Sequence, residues 1–172
     1  MHSSEADGNR REGRTASKRV ADSRTEVTRN VTEGDMNGQG RLFGGRLMEW
    51  IDEAAGIAAR RHCGGNVTTA CVDQLVFHHP AFRNDVVVID ARVTHIGRTS
   101  LEVRVDSYVE DIARSSRNLI NRAYLTEVFV DDGGTPRPIP YGLDLSSDAE
   151  RDEWRGAERR RQVRRQRLEE GF

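Results

Sequence analysis

The chain has 172 residues, of which 35% are hydrophobic and 32% are charged, and its formal net charge at pH 7 is −1. This length suits one domain with its own core and is short for two. A net charge so close to zero argues against a protein that binds nucleic acid or membrane with its whole surface, and it leaves a local basic patch open. No apolar run approaches the roughly 18 residues of a membrane-spanning helix.

The cysteines and the start of the chain bear on its cellular compartment. Cys63 and Cys71 are too few to staple a small secreted domain, and neither has metal-ligand spacing with a histidine. The first 20 residues carry charges but lack the apolar segment of a signal peptide. We therefore expect a cytoplasmic protein that binds neither membrane nor nucleic acid.

Both ends of the chain are polar. Residues 1–24 hold almost no large apolar side chain, which predicts a flexible N-terminal arm. Residues 141–172 form a charged extension in which Ser147 is a candidate helix cap and acid–base neighbours recur at helical spacing. Its few large apolar residues predict a solvated or protruding helix, and the glutamates among its arginines favour that over nucleic-acid binding.

Residues 25–140 carry the periodic patterns of one folded domain. The stretch "LFGGRLMEWIDEAAGIAARRH" has apolar residues at i, i+3, i+4 and i+7, which predicts a long and largely enclosed helix ended by Gly64 and Gly65. Five stretches predict strands: "TEVTRNV", "NVTTACVDQLVFHH", "DVVVIDARVTHI", "TSLEVRVDSYVE" and "NLINRAYLTEVFV". One long helix with several antiparallel strands predicts an α+β fold, in which a curved sheet packs on the helix.

A longer stretch, "DMNGQGRLFGGRLMEWIDEAAGIAARRH", resembles the signature motif of hotdog-fold acyl-CoA thioesterases. This family includes broad bacterial acyl-CoA hydrolases and the brain-type acyl-CoA hydrolase of mammals. "HIGRTSLEVRV" and "NRAYLTEVFVDDGGTPRPIP" resemble the family's later strands in the expected order, so the resemblance covers about residues 25–140. It implies a hotdog fold, a long central helix wrapped by a curved antiparallel sheet. It also implies an acyl-CoA substrate, no separate cofactor, and at least a homodimer, with a hexamer built as a trimer of dimers.

Asp52 is the candidate catalytic acid–base group. On the predicted helix it lies where the apolar face meets the charged side, and desolvation there would strengthen its carboxylate as a base. Thioester hydrolysis without a serine or cysteine nucleophile needs a carboxylate that activates water or attacks directly. The match at "WIDEAA" favours this role over that of an ordinary solvated aspartate. Glu53 points further round the helix and is the second choice.

Gly44 and Gly45 lie where the helix begins, so their amide N–H groups lack helical partners and a carbonyl can approach closely. We predict that they form an oxyanion hole, the alternative being a hinge that lets the helix enter a crowded core. The resemblance implies that Asn37 orients the water or the carbonyl; the alternative is an asparagine in a tight turn. Gly45 and Asp52 are about 10 Å apart along a helix. One site should therefore combine the loop of one chain with the aspartate of its partner.

The segment "GRTS" contains Arg98, Thr99 and Ser100, which match the family's residues near the pantetheine and phosphates of coenzyme A. A guanidinium suits a phosphate, although a hairpin turn with a solvated arginine is an equal alternative. His78 and His79 face opposite sides of a strand and have no acidic partner at ligand spacing, so no metal site is predicted. They stand where the family has aliphatic or small residues.

These observations predict an acyl-CoA thioesterase that hydrolyses acyl-CoA to a free fatty acid and coenzyme A. A hydratase on the same fold is one alternative, but that branch resembles sequences with a histidine shortly after the catalytic acid. Residues 54–59 contain no histidine. A non-catalytic acyl-CoA sensor is the other alternative, and a sensor would need neither Asp52 nor Asn37.

Overall fold

The computed structural model describes residue 14 and residues 16–171. Its helices and strands are, in chain order, β1 (Ala16–Arg19), α1 (Val20–Ser23), β2 (Thr25–Asn30), α2 (Gly44–Cys63), β3 (Val67–Phe77), β4 (Val86–Ile96), β5 (Ser100–Asp111), β6 (Ser116–Phe129), β7 (Tyr141–Asp144) and α3 (Asp148–Glu170). A short 3₁₀ turn, Glu33–Asp35, lies between β2 and α2. The predicted α+β fold with one long helix and an antiparallel sheet is confirmed. Within the described residues, neither α2 nor α3 has a stretch apolar enough to cross a bilayer.

The long helix α2 ends at a glycine, as its pattern predicted. Gly64 follows Cys63 in the left-handed conformation, with φ of 74°, and its N–H donates to the carbonyl of Arg60 at 2.8 Å. A side chain with a Cβ is strained at this φ, whereas glycine is not. The glycine therefore stops the helix and turns the chain toward β3.

Five strands form one antiparallel sheet in the order β2-β4-β5-β6-β3, so β2 and β3 are its edges. On β5, the alternating residues Leu101, Val103 and Val105 are buried and belong to the same core as the apolar face of α2. The core residues of α2 are Leu47, Trp50, Ile51, Ala54, Ala55, Ala58, Ala59 and Cys63. Burying a large aliphatic side chain contributes about 1.5–3 kcal/mol, so each of Leu47 and Ile51 stabilises the packing of α2 on the sheet by about that amount.

The N-terminal segment differs from its prediction. Residues 16–24 do not form the flexible arm expected over residues 1–24, because β1 pairs in parallel with β7 and α1 buries Val20 and Ser23. The hydroxyl of Ser23 also accepts a hydrogen bond from the backbone N–H of Val93 on β4 at 3.2 Å. The rest of the predicted arm, residues 1–13 and 15, lies outside the described residues.

Strand β1 also contacts the end of α2. Lys18 Nζ donates hydrogen bonds to the carbonyl oxygens of Arg61 at 2.7 Å and His62 at 2.8 Å. These carbonyls belong to the last turn of the helix, where no further turn supplies partners and where the helix dipole favours a cation. The N-terminal strand therefore caps the central helix.

The C-terminal helix α3 packs on the sheet rather than protruding into solvent. Its start follows the predicted cap: Ser147 Oγ accepts from the N–H of Glu150 at 3.2 Å, and the Glu150 carboxylate accepts from the N–H of Ser147 at 3.0 Å. Along β5, charged residues alternate with the core residues that face α2. Because α3 bonds to those charged residues, it covers the opposite face of the sheet.

Ion pairs hold α3 on this outer face. Arg160 of α3 donates to both carboxylate oxygens of Glu102 on β5, at 2.8 and 3.0 Å. Glu153 of α3 accepts from Arg104 on β5 and, at 2.9 Å, from the hydroxyl of Tyr124 on β6. The sparse apolar residues of α3 predicted a solvated helix. That prediction was wrong because the polar partners that hold α3 on the sheet are distant in sequence.

Asp106 is a buried carboxylate on the same face of the sheet, and it binds several arginine side chains there. It has 0% exposure and accepts hydrogen bonds from Arg92, Arg104 and Arg122. Burial alone would raise the pKa of Asp106, but the guanidinium groups of Arg104 and Arg122 outweigh burial and hold the pKa below its usual value. The outer face is thus a network of paired charges.

Trp154 is the large aromatic contact of α3, since its ring stacks on His95 with 4.1 Å between the ring centroids. We expect Trp154→Ala to lower the free energy of unfolding by about 2 kcal/mol, less than for a fully buried tryptophan. Val163, which is 46% exposed on the same helix, is the matched control. Val163→Ala should change that free energy by less than about 0.5 kcal/mol. Urea titrations of both variants measure the difference, and equal losses would contradict packing through Trp154.

Candidate active site

Two carboxylates and one hydroxyl meet where α2 passes over β3 and β6. Thr69 Oγ1 on β3 lies 2.6 Å from Oδ1 of Asp52 on α2. The same oxygen lies 3.1 and 3.3 Å from the two carboxylate oxygens of Glu127 on β6. One threonine hydroxyl therefore contacts both acidic side chains.

The pairing of β3 with β6 explains why Thr69 and Glu127 lie side by side. Thr69 and Glu127 are paired across β3 and β6, so their side chains point to the same face of the sheet. The register shifts immediately afterwards, between Thr69 and Cys71. Bulges of this kind are frequent beside functional sites because they redirect side chains.

The buried carboxylate of the site is Glu127, not Asp52. Asp52 is exposed in the single chain, so the desolvation expected around it is not found there, whereas Glu127 has 0% exposure. Burial raises the pKa of Glu127 to about 7; the hydrogen bond from Thr69 lowers it, and the nearby charge of Asp52 raises it further.

Glu127 is not among the site residues predicted from the sequence, although the sequence of β6 carries a signal for it. Ala123, Leu125 and Glu127 alternate along β6, and the first two are core residues. Side chains two apart on a strand share a face, so a glutamate in this series takes the place of a core residue. A carboxylate at such a position is a candidate for a function.

Gly44 and Gly45 begin α2, and their N–H groups donate to no acceptor among the described residues. A Cβ on Gly45 would lie 2.6 Å from Cε1 of Phe43, and one on Gly44 would lie 3.4 Å from Cζ of Phe77. Both aromatic side chains are at least half exposed. The helix therefore starts with two unpaired amide donors beside two exposed rings, and a side chain at Gly45 would have to displace the ring of Phe43.

Asn37 lies in the loop before α2, in a turn of its own. Its Oδ1 accepts from the backbone N–H groups of Gln39 at 2.9 Å and Arg41 at 3.2 Å. This is the tight-turn arrangement that stood as the alternative for Asn37. Its side-chain Nδ2 donates to no acceptor in the described part of the chain, so it is the group of Asn37 that a substrate could accept from.

The site residues predicted from sequence do not converge on one point within a single chain. Gly45 and Asp52 lie on one continuous helix, so about 10 Å of its axis separates them. Asp52 contacts Thr69, while the unpaired amides and Asn37 lie at the start of the helix.

Arg98, Thr99 and Ser100 lie at the turn between β4 and β5. The carbonyls of Arg98 and Thr99 accept from the N–H groups of Ile139 at 2.8 Å and Phe129 at 2.9 Å, which fixes the backbone of the turn. The side chain of Arg98 is exposed. A shallow cavity beside the turn is lined by residues of β4, β5, β6 and α3 and of the turn itself, including Gly97, Ser100, Arg161 and Arg164. The C-terminal helix thus adds guanidinium groups to this end of the fold.

His78 and His79 lie just after β3, and both side chains are exposed. Their backbone N–H groups donate to the carbonyl of Ile120 at 2.9 and 3.4 Å. The described residues contain no group of three or more histidine, cysteine or acidic side chains placed to hold a metal ion.

Thr69→Val removes the hydroxyl shared by Asp52 and Glu127 but keeps the shape of the side chain. We expect the free energy of unfolding at pH 7 to fall by about 1–3 kcal/mol, because a buried carboxyl group loses its partner. Thr68 is exposed and points to the other face of β3, so Thr68→Val is the matched control and should change it by less than about 0.5 kcal/mol. Urea denaturation measures both; a Thr69→Val variant as stable as Thr68→Val would contradict the shared hydrogen bonds.

Sequence comparisons identify relatives over most of the chain. A family model described as "Thioesterase superfamily" matches residues 39–115. An uncharacterized acyl-CoA thioester hydrolase of Bacillus subtilis is 37% identical over 119 residues, which are 69% of each chain. The cytosolic acyl coenzyme A thioester hydrolase of Mus musculus is 30% identical over 131 residues, 75% of this chain. Those residues are only 34% of the mouse protein, so the chain spans about a third of that relative.

Solved structures share the fold. An acyl-CoA hydrolase from Staphylococcus aureus, in complex with butyryl coenzyme A, coenzyme A and coenzyme A disulfide, is 34% identical with a TM-score of 0.84. The match covers 90% of this chain and 93% of that one. An apo-hexameric acyl-CoA thioesterase is 35% identical with a TM-score of 0.84, over 89% and 97% of the two chains.

Structures of the Staphylococcus aureus enzyme also include three alanine variants, made at an asparagine, an aspartate and a threonine. In sequence order these three residues are separated by 15 and 17 positions. Asn37, Asp52 and Thr69 have the same two separations, 15 and 17, in this chain.

Proposed function

The chain belongs to the thioesterase superfamily, and we propose that it hydrolyses acyl-CoA to a free fatty acid and coenzyme A. Its relatives and structural neighbours are named acyl-CoA thioester hydrolases or thioesterases, and one of them was solved with butyryl coenzyme A. The observation that carries the proposal is the exposed Asp52 carboxylate held by the hydroxyl of Thr69. The shared spacing of Asn37, Asp52 and Thr69 with the three substituted residues of the Staphylococcus aureus enzyme supports it.

Asp52 is proposed to act as general base or as nucleophile. Thr69 occupies Oδ1, while Oδ2 accepts no hydrogen bond within the described residues. As a base, Oδ2 takes a proton from water while the water oxygen bonds to the thioester carbon. As a nucleophile, Oδ2 bonds to that carbon itself. In both routes the C–S bond then breaks, and coenzyme A leaves as a thiolate that is protonated afterwards. In the base route this step gives the free fatty acid directly. In the nucleophile route it leaves an acyl–aspartate anhydride, which water then hydrolyses to the fatty acid and the restored Asp52 carboxylate.

The start of α2 is proposed to stabilise the oxyanion formed by this attack. The N–H groups of Gly44 and Gly45 are unpaired, and the positive end of the helix dipole lies there. The amide Nδ2 of Asn37 is a further donor for the carbonyl or the water. Since about 10 Å separates Gly45 from Asp52, we propose that the amides of one chain act with the Asp52 of its partner.

At least a homodimer is needed for such a site. The edge strand β3, which also carries Thr69, has the exposed apolar side chains of Val72, Val76 and Phe77, and edge strands readily pair with another chain. The apo-hexameric relative supports assembly beyond the dimer, and we propose a trimer of dimers. The mouse relative is named cytosolic, and we propose the cytoplasm for this chain.

Coenzyme A is proposed to bind at the turn between β4 and β5. Arg98 presents an exposed guanidinium to the phosphates, and Thr99 and Ser100 supply hydroxyl groups. Arg161 of α3 lies beside Gly97 of the same turn and adds a second cation. The proposed reaction uses these groups and water, with no separate cofactor.

Asp52→Asn tests the proposed chemistry with butyryl coenzyme A and a thiol-release assay. The substitution is nearly isosteric but removes the basic oxygen, so we expect kcat/KM to fall by about 100-fold or more. Glu53→Gln is the matched control, because Glu53 pairs with Arg29 at 2.6 Å, away from Thr69, and should retain full activity. A folded Asp52→Asn protein with full activity would refute this role of Asp52. If the protein without substitutions binds butyryl coenzyme A but does not hydrolyse it, that result would favour the alternative of a non-catalytic acyl-CoA sensor.

Subunit mixing tests the shared site. Asp52→Asn disables one half of each site, and Gly45→Val disables the other because its side chain overlaps the ring of Phe43. Each variant alone should be nearly inactive. In a mixed dimer one site carries both changes and the other carries neither, so a random mixture should recover about a quarter of the original activity.

Exchange of subunits is verified first, with a tagged variant that pulls down its untagged partner. If the amides and Asp52 of each site came from one chain, every site in the mixture would keep one defect. No recovery after proven exchange would therefore refute the shared site while leaving the hydrolase proposal standing.

A further inference from the structure

A single hydroxyl proton cannot serve two ionised carboxylates at once. Thr69 has one O–H group, and its oxygen lies within hydrogen-bond distance of both Asp52 and Glu127. The contact with Asp52 is the shortest, at 2.6 Å, so the hydroxyl proton of Thr69 belongs there. The contact of 3.1 Å with Glu127 then needs a proton from another source.

Glu127 itself is the group that can supply this proton. It has 0% exposure, and within the described residues it forms no ion pair with a cationic side chain. Its partner on β5 is Leu101, an apolar core residue, while α2 presents Asp52 and Cys63. Burial raises the pKa of Cys63 to about 12, so its thiol is neutral and offers no compensating charge. Burying an ionised carboxylate without a cation is costly, which favours the protonated form of Glu127.

We propose that Glu127 is a positioning residue, whose protonated carboxyl group donates to Thr69 while Thr69 donates to Asp52. The order of donors runs from Glu127 O–H to Thr69 Oγ1, and from Thr69 O–H to Asp52 Oδ1. No proton is transferred along this chain in the reaction; Glu127 keeps its own. The effect of Glu127 on catalysis rests on the proposed thioesterase function, whereas the protonation of Glu127 does not.

The proposal makes the orientation of Asp52 depend on pH. The pKa of Glu127 is about 7, so Glu127 releases its proton as the pH rises through neutrality. The single hydroxyl of Thr69 is then shared between two negative groups, and Asp52 loses its fixed partner. Because catalysis depends on accurate placement of the base, activity should fall on the alkaline side.

The kinetic test compares kcat/KM for butyryl coenzyme A at pH 6 and pH 8. If only the protonated form of Glu127 supports catalysis, the unchanged protein should be about tenfold less active at pH 8. Glu127→Gln carries an amide N–H that donates at every pH, so its ratio should be about 1. Glu127→Leu should also have a ratio of about 1, but with a kcat lowered roughly tenfold since it offers no donor to Thr69.

Glu102→Gln is the matched control. Glu102 is a buried carboxylate on the neighbouring strand, but it faces α3 and pairs with Arg160. Its substitution should leave the tenfold ratio intact. A Glu127→Gln protein with the tenfold ratio of the unchanged protein would overturn the proposal.

Thermal unfolding tests the protonation of Glu127 without any activity. A carboxyl group whose pKa is raised from 4.5 to about 7 keeps its proton in the native state at pH values where the unfolded chain has lost it. The contribution of Glu127 to the free energy of unfolding is therefore greatest below pH 4.5, and it declines as the pH rises to 7. Relative to Glu127→Gln, the Tm of the unchanged protein should fall by about 5 °C across that range.

Other titrating groups cancel in this comparison. The buried His62, whose pKa burial lowers to about 4, is present in both proteins, so its contribution is subtracted. Glu127→Leu replaces Glu127→Gln in the subtraction if the latter does not fold. A Tm difference that stays constant from pH 4.5 to 7 would overturn the proposal. If this Tm difference grows from pH 4.5 to 7 but the protein hydrolyses no acyl-CoA, the proposed function is refuted and the protonation of Glu127 stands.

Discussion

The burial of α2 against one face of the sheet sets the position of each group in the candidate site. Four alanines, Ala54, Ala55, Ala58 and Ala59, are fully buried and let the helix approach the strands closely. Asp52 lies beside this row, at the rim of the buried face, and so comes within reach of Thr69 on the edge strand. The same burial places the start of the helix, with its unpaired amides, at the end of the fold that carries Phe43 and Phe77. Packing that stabilises the domain thereby positions its chemistry.

The two faces of the sheet are stabilised by different physics. The inner face buries aliphatic side chains against α2, and its free energy scales with the apolar area removed from water. The outer face pairs carboxylates with arginines beneath α3, around Asp106, Glu102 and Glu153. Such pairs add little net stability over apolar packing, but losing one partner leaves a buried charge that is costly. The outer face is therefore less tolerant of single substitutions than its polar composition indicates.

The elements that the sequence predicted correctly are those with a repeating pattern. The apolar periodicity of α2 and the β-branched stretches of β2 to β6 record burial directly, so their positions agree with the structure. β1, α1 and β7 are four residues each, too short for a period to show. The packing of α3 was missed because Arg160 and Glu102 are 58 residues apart and only the fold brings them together. Asp52, Gly44 and Gly45 were found through a motif. For Glu127 the sequence offers only its place in the alternating core series of β6, and the strand pairing is what identifies Thr69 as its partner.

The arginine–carboxylate network under α3 also bears on how the protein responds to denaturants. A guanidinium ion has the head group of an arginine without its chain, so it competes for the carboxylates of Glu102 and Glu153 and screens what remains. Urea is uncharged and weakens apolar and peptide contacts without this competition. Guanidinium weakens apolar and peptide contacts as urea does, so it acts on both faces of the sheet, whereas urea leaves the ion pairs of the outer face in place. In guanidinium chloride the C-terminal helix should detach before the α2 core opens, while urea should unfold both in one step.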